Sequence, residues 1–468
     1  MKKVLLWCGL LLSTLVVGYF LYTTFFVISK EEKLKDSEAR NSISVHSLDN
    51  VKALEMPVFE IFTEGNAPIV SKEEYINGKL TISNVDENLQ LINEPLQIRG
   101  RGLSSWYLIE KKSYRIKFKS KNNLLGQGKE KARNWTLLAM HYDKSFLRNE
   151  AAYFFASKLN GISFVSSSSF IELWLNGEYQ GVYEVCDQIE VNKGRIDIND
   201  SGEEEDIGYL VEINLFPEDE YNLIQTSNGE TYEIKSNYVN SNQKKYIADY
   251  LSKCLKAIET TDKETIGNLI DIPSAVDCYI VEEFMKNHDV GGTSFYFTKP
   301  KGDKLYFGPI WDFDLSSGNA DNDNQDPAFR SFKYTYVGNL YFTNIQQSSW
   351  FSALRKCDWF NDMVKKRWKE VRKYGLQTAD HVEEMANKYK SSFERNFTKW
   401  PIFDQKILRE PDEILAIKSF CEQVDYLADW LRNRVIWLDD YFAGTAEDIK
   451  PKVLVRKSVV RNRGQRGR

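Results

Sequence analysis

Paired cysteines and clustered histidines are both missing from this 468-residue sequence. The six cysteines (Cys8, Cys186, Cys254, Cys278, Cys357 and Cys421) are dispersed and form no C-x-x-C spacing. That excludes a cysteine zinc site and a disulfide scaffold, and leaves those after Cys8 as small core residues. Four histidines are too few and too scattered for a metal cluster. No repeat of solenoid period is present. A net charge of −5 carries no global attraction for nucleic acid, and no nucleic-acid partner is expected. The one charge asymmetry is the tail from Lys450 to Arg468, which is basic and holds no acid. It reads either as a solvated end or as a polybasic contact with anionic lipid, wall polymer or an acidic partner. Hydrophobic residues at 42% and aromatics at 13% are ample for a packed core, so wholesale disorder is excluded. The length suits one large domain or two to three ordinary ones.

Lys2 and Lys3 precede an uncharged run from Val4 to Ser29. It is long enough to span a bilayer, which needs roughly 20 apolar residues. The run ends in Tyr22-Thr23-Thr24-Phe25-Phe26-Val27, with no small-x-small exit, which favours an uncleaved signal anchor over a cleaved signal. With Lys2 and Lys3 cytoplasmic, the expected protein is single-pass in the cell membrane, with the rest of the chain extracytoplasmic. Residues 30–53 are a polar linker, 54–445 a folded region and 446–468 the basic tail.

From Met56 the pattern is strand-like: Val58–Phe62, Leu80–Ile82, Leu96–Ile98 and Lys112–Lys119. The last alternates, with Tyr114, Ile116 and Phe118 on one face and Arg115, Lys117 and Lys119 on the other. A helix is predicted over about Lys144–Leu159, closed by Asn160-Gly161. Phe170–Leu175 and Gly181–Val185 flank Asn176-Gly177, a strong hairpin signal. Beyond about Lys244 the period turns helical, and 348–442 is helical and tryptophan-rich. Strands over about 54–240 and helices over 241–445 imply an α+β protein in two lobes.

The stretch with most chemistry is Gly308–Asn319, GPIWDFDLSSGN. At a strand end Asp312 and Asp314 would share a face, as residues i and i+2 do, and two hard oxygen donors suit Mg²⁺ or Mn²⁺. Trp311 and Phe313, large apolar residues interleaved with the acids, distinguish this from a merely solvated turn. Asp289 ends a long apolar helix and reads as a proton acceptor, a metal ligand or simple helix punctuation. Arg99–Trp106 forms a Gly-x-Gly loop through Gly100, Arg101, Gly102, Ser104 and Ser105, either a phosphate cradle or a structural turn. Arg115 and Lys117 follow on a basic strand face, and Glu150 is a candidate partner for Lys117.

These motifs, in this order, resemble the spore-coat protein H (CotH) kinase family, atypical relatives of protein kinases. Arg99–Trp106 is similar to the family's R-G-R-G-N-S-T-W, and Lys111–Phe118 to its K-K-P-Y-R-I-K-F. Leu124–Gly126, Trp135–Ala139, Asp143–Ser145 with Leu147–Asn149, Glu172–Tyr183, Asn287 with Asp289, and Gly308–Asn319 follow in family order. The resemblance implies a two-lobed atypical protein-kinase-like fold with a helical C-terminal region, behind the N-terminal transmembrane helix. It also implies an ATP-dependent kinase acting on Ser/Thr of secreted or coat proteins with a divalent metal. Asp312 and Asp314 match the metal-binding W-D-x-D segment, Asp289 the second functional carboxylate, Lys117 the phosphate-contacting lysine, and Arg99–Ser105 the loop over the nucleotide. Leu103 departs from the family's Asn and Ser105 from its Thr. The alternative is a non-catalytic surface or spore-coat scaffold on the same fold. A carbohydrate-binding reading rests on the tryptophans alone, whose helical spacing instead indicates core packing.

Overall fold

The computed structural model describes residues 56–214, 220–236, 239–320, 349–408 and 410–444. The predicted anchor at 1–29, the linker at 30–53 and the basic tail lie outside them. Among the described residues no helix is long and apolar enough to cross a membrane.

Seven strands come first: β1 (Val58–Thr63), β2 (Ile76–Ser83), β3 (Leu91–Arg101), β4 (Ser113–Asn122), β5 (Ala132–Leu138), β6 (Ser168–Leu175) and β7 (Glu178–Asp187). They close into a barrel in the order β1-β2-β3-β4-β5-β7-β6. Alternation drives this: Phe59, Ile61, Leu80, Ile98, Tyr114, Ile116, Phe118, Trp135, Leu137, Ile171 and Leu173 point inward and make one apolar core. Closure depends on a parallel pairing of β1 with β6, Val58 opposite Glu172 through Ile61 opposite Leu175. Asn176 and Gly177 join β6 to β7 with φ of 51° and 82°, the left-handed pair that a two-residue hairpin requires.

A second sheet is built from β8 (Tyr209–Ile213), β9 (Leu223–Gln225), β10 (Thr231–Ile234), β11 (Phe295–Lys299) and β12 (Tyr306–Phe307). Its strand order is β12-β11-β8-β10-β9. The mixed α+β class agrees with the sequence reading, but the expected kinase-like pair of lobes does not emerge. The strand-rich part is a closed barrel, and the second sheet draws strands from both sides of residue 240, with Phe295 opposite Ile213. Neither feature leaves a periodic signal, because both rest on pairings between distant segments.

The helix Ile272–Met285 carries Asp271 as its N-cap and is buried from Ser274 to Met285. Burial on every side follows from its apolar composition, and the helices Arg148–Ala156, Asp358–Lys388 and Phe420–Ala443 pack around it. Trp350, Trp368 and Trp430 are fully buried in the same core, as their spacing predicted. The helix expected from Lys144 starts at Arg148, because the Asp143 carboxylate accepts from the backbone N–H groups of Ser145 and Arg148 and holds 143–147 as a turn. It ends at Ala156, ahead of Asn160-Gly161.

Candidate active site

Beyond β12 the chain leaves the sheet and forms a loop over residues 308–320, clamped on three sides. From the helix Ile272–Met285 and its exit, the Met285 carbonyl accepts from the Ser317 N–H at 2.7 Å, and the His288 N–H donates to the Leu315 carbonyl at 2.9 Å. From the helix Arg148–Ala156, Asn149 Oδ1 accepts the Phe313 N–H at 2.7 Å and Arg148 Nε donates to the Ser316 carbonyl at 2.9 Å. From within, Asn319 Nδ2 donates to the Asp314 carbonyl at 2.6 Å and the Tyr142 carbonyl at 3.2 Å. Asn149 is itself oriented by Glu184 on β7, whose Oε2 accepts from Asn149 Nδ2 at 3.0 Å. Arg148 forms an ion pair with Asp143 at 2.5 Å, and neither side chain is exposed to solvent.

This loop explains the interleaved aromatics. Phe313 is fully buried, and Trp311 stacks on Tyr153 with centroids 6.2 Å apart. The Arg101 guanidinium lies 5.5 Å from the Trp311 ring on its approach to the acids. Asp312 lies between these anchors and Asp314 just after them, both half-buried. They do not alternate along a strand, as i and i+2 at a strand end would. Asp312 has φ of 67°, a left-handed conformation uncommon for a non-glycine residue, and the turn rather than the pleat directs its carboxylate. Gly318 has φ of 85°, and a β-carbon there would lie 2.6 Å from Tyr426 Oη and 2.7 Å from Trp430 Nε1. Gly318→Ala is therefore expected to cost about 2 kcal/mol, read as a lowered thermal midpoint.

Asp289 reaches the same place from the helix exit. Its side chain is 23% exposed, and Oδ1 lies 3.2 Å from His288 Nδ1. Electrostatics tie the three acids together. Burial pushes the Asp312 carboxyl up to about 6, with Asp289 adding to the rise and Arg101 and the Ser294 hydroxyl opposing it. Asp314 is raised further, by burial first and then by Asp312 and Asp289. Glu282 behind them is raised to about 8, again mainly by burial.

Carboxylates held near enough for one charge to raise a neighbour's proton affinity, as Asp289 does for Asp312 and Asp314, are a favourable setting for a cation. Asn319 Oδ1, buried and without a hydrogen-bond partner among the described residues, is a further oxygen donor in the loop. Among the described residues no three His, Cys, Asp or Glu side chains are drawn into a ready metal cage. The donors the loop does offer are the Asp312 and Asp314 carboxylates, and Mg²⁺ commonly takes one or two carboxylates and completes its shell with phosphate oxygens and water. The donor set therefore fits such an ion.

The basic groups divide differently from expectation. Arg99, Arg115 and Lys117 share the outer barrel face, with Arg99 directly across from Arg115. Arg99 and Lys117 both sit over Tyr75, at 5.1 and 5.9 Å. Burial lowers the pKa of Arg115, and Arg99 and Arg101 lower it further, while Tyr75 and Glu190 oppose. Lys117 is exposed and pairs with Gln97, four residues before Arg101 on β3 and so ~13 Å back along the strand. Among the described residues the cation beside Trp311 and Asp312 is Arg101, whereas Lys117 lies over Tyr75. Glu150 is not its partner either: Oε1 lies 2.7 Å from His381 Nε2 and Oε2 accepts from Ser168 Oγ at 2.5 Å. Gly100 faces the Trp106 ring, where a β-carbon would lie 2.2 Å away, and Gly102 has φ of 88°. Ser104 and Ser105 open a single helical turn, Ser104–Tyr107, behind the exposed Leu103.

Sequence reasoning missed Asn149, Glu184 and Ser294. The order Asp143-Lys144-Ser145 with Leu147-Arg148-Asn149 was the one usable signal, and it marks the clamp rather than the chemistry. The CotH kinase protein family model matches residues 96–438, well over half of the chain and inclusive of every residue of this site. No curated protein matches the chain. The chain belongs to the CotH kinase protein family.

Proposed function

We propose that this protein is an ATP-dependent kinase that transfers the γ-phosphoryl group to Ser or Thr of secreted, surface or coat proteins. One observation carries the reading: on a clamped loop beside the Arg101 guanidinium, Asp312 and Asp314 both have raised carboxyls, and the Asp289 charge contributes to each rise. Asp312 and Asp314, with Asp289, would hold Mg²⁺ or Mn²⁺, which when bound neutralises charge on the phosphates. Arg101 places a fixed positive charge against them, and Arg99 and Arg115 continue the basic strip on β3 and β4. Gly100, Gly102, Ser104 and Ser105 shape the loop from which Arg101 extends. Asp289, at a helix exit with its side chain 23% exposed, accepts a hydrogen bond from the acceptor hydroxyl and orients it for in-line attack. Phosphoryl transfer is mostly positioning and electrostatics, so this set is chemically sufficient. Lys117 and Glu150 have no direct part in it. The apolar run at 4–29 would anchor the chain in the cell membrane with the kinase region outside.

The test is transfer from γ-labelled ATP with Mn²⁺ or Mg²⁺, wild type against Asp312→Ala; equal labelling would refute the assignment. A pH series adds a second check. Since Asp312 is raised to about 6, activity at limiting metal should fall as pH drops through about 6. More Mn²⁺ should move that midpoint lower, because metal competes with the proton.

The scaffold reading is favoured by Leu103, an exposed apolar side chain, 42% accessible, at the phosphate-loop motif where the family carries Asn. Nucleotide-dependent thermal stabilisation discriminates: a kinase gains stability with ATP and Mn²⁺, and a scaffold that has lost the nucleotide site does not.

A further inference from the structure

The turn between Asp289 and β11 brings the chain back to the acidic loop. The Asp289 carbonyl accepts from the N–H groups of Gly292 at 3.0 Å and Thr293 at 3.1 Å. Gly291 and Ser294 then take φ of 81° and 56°. A left-handed serine is uncommon, and here it is held from two sides. Its N–H donates to Glu212 Oε1 at 3.0 Å, and its hydroxyl donates to Asp312 Oδ2 at 3.2 Å.

Glu212 is fixed in turn. On β8 it stands directly across from Glu233 of β10, an opposition of like charges that would be destabilising alone. Lys235 closes it, with Nζ at 2.8 Å from Glu212 and 2.6 Å from Glu233. Asn214 adds a hydrogen bond to Glu233 at 2.8 Å. Both glutamates are nearly buried, at 5% and 7% exposure. A continuous set of contacts therefore runs from Lys235 through Glu212 and Ser294 to Asp312. None of the first three has a place in the chemistry proposed above.

We infer that Ser294 is a positioning residue, whose backbone is held by Glu212 and whose hydroxyl sets the orientation of the Asp312 carboxylate toward a divalent cation. The inference rests on the reading of Asp312 as a metal ligand. The terminal torsion of an aspartate is broad and roughly two-fold, so an unrestrained carboxylate presents its oxygens poorly. One donor on Oδ2 selects a single orientation and leaves Oδ1 for the ion. Hydrogen-bond partners of metal ligands typically change affinity 10- to 100-fold. With one hydroxyl at 3.2 Å, the lower end of that range is expected.

The experiment is a Mn²⁺ titration followed by electron paramagnetic resonance on the full chain in detergent, for wild type, Ser294→Ala, Glu212→Gln and Glu212→Ala. Ser294→Ala should weaken Mn²⁺ by about tenfold at an unchanged unfolding midpoint. Glu212→Ala should act in the same direction, and Glu212→Gln less, because an amide oxygen still accepts the Ser294 N–H. If Ser294→Ala does not fold, Ser294→Gly removes the same hydroxyl and relaxes the left-handed backbone. Mn²⁺ bound as tightly by Ser294→Ala as by wild type overturns the inference. If wild type binds no Mn²⁺, the metal-ligand reading itself has failed. Crystal structures of wild type and Ser294→Ala then decide the positioning role: a rotated Asp312 carboxylate sustains it, and an unmoved one overturns it.

Discussion

Asp312→Asn is expected to lower phosphoryl transfer by at least ~100-fold while leaving the protein as stable as wild type or more so. The two halves of this result have one cause. Ionised Asp312 is held half-buried against Asp289 and Asp314, and its carboxyl is raised to about 6. A folded-state pKa above the unfolded value of 3.8 means that the folded protein binds this proton more tightly. The group's unfavourable contribution is therefore fully present above about pH 6, shrinks as pH falls through that value and is gone below about pH 4. An uncharged, nearly isosteric asparagine removes the repulsion and also the anionic oxygens that would hold the metal. Labelling assays and thermal unfolding without metal, run on the same preparations at pH 7.5 (about neutral, above the titration), measure both. Lost activity with lowered stability would show a structural residue instead.

Arg148→Ala is expected to be the most destabilising single change at this site, by about 3–5 kcal/mol, because it strands a buried carboxylate. Asp143 and Arg148 are both fully buried, and Asp143 also organises the turn through the N–H groups of Ser145 and Arg148. Arg148 Nε additionally holds the Ser316 carbonyl, so the acidic loop loosens with it. A drop in thermal midpoint on the order of 10 °C would correspond to that cost. The double replacement Asp143→Ala/Arg148→Met should recover part of the stability, since no charge is left unpaired, but not the activity, since Ser316 stays untethered. A double mutant no more stable than Arg148→Ala would mean that the ion pair is not the source of the loss.

The clamp gives both predictions their specificity. The acids sit on a loop, where segments are ordinarily mobile, yet this loop is held by the Met285 carbonyl, the His288 N–H, Arg148 and Asn149. Left-handed conformations at Asp312, Ser294 and Ser317 lie within or beside it. Such strain persists where surrounding contacts over-determine the backbone, as they do here. A site fixed in this way can hold repelling carboxylates together before a cation arrives.

Much of this was present in the residues alone. The alternation of Tyr114, Ile116 and Phe118 against Arg115, Lys117 and Lys119 sorts inside from outside with no knowledge of the fold, because side chains on a strand alternate by geometry. Asn176-Gly177 specifies its hairpin for an equally local reason, the left-handed φ of both residues. Asp312 and Asp314 stand out in the sequence by residue type and by the large apolar residues interleaved with them, and Asp289 by its place at the end of a long apolar helix. Only the tertiary structure decided which basic residue meets them. Lys117 and Arg101 both lie on the β3–β4 surface, and nothing local distinguishes them, but the end of β3 carries Arg101 onto Trp311 and leaves Lys117 over Tyr75. Glu150 pairs with His381, 231 residues away, and Asn149 meets the Phe313 backbone 164 residues on. Partners so distant are chosen by how the barrel closes and where the helices pack, and a single sequence has no local term that encodes either.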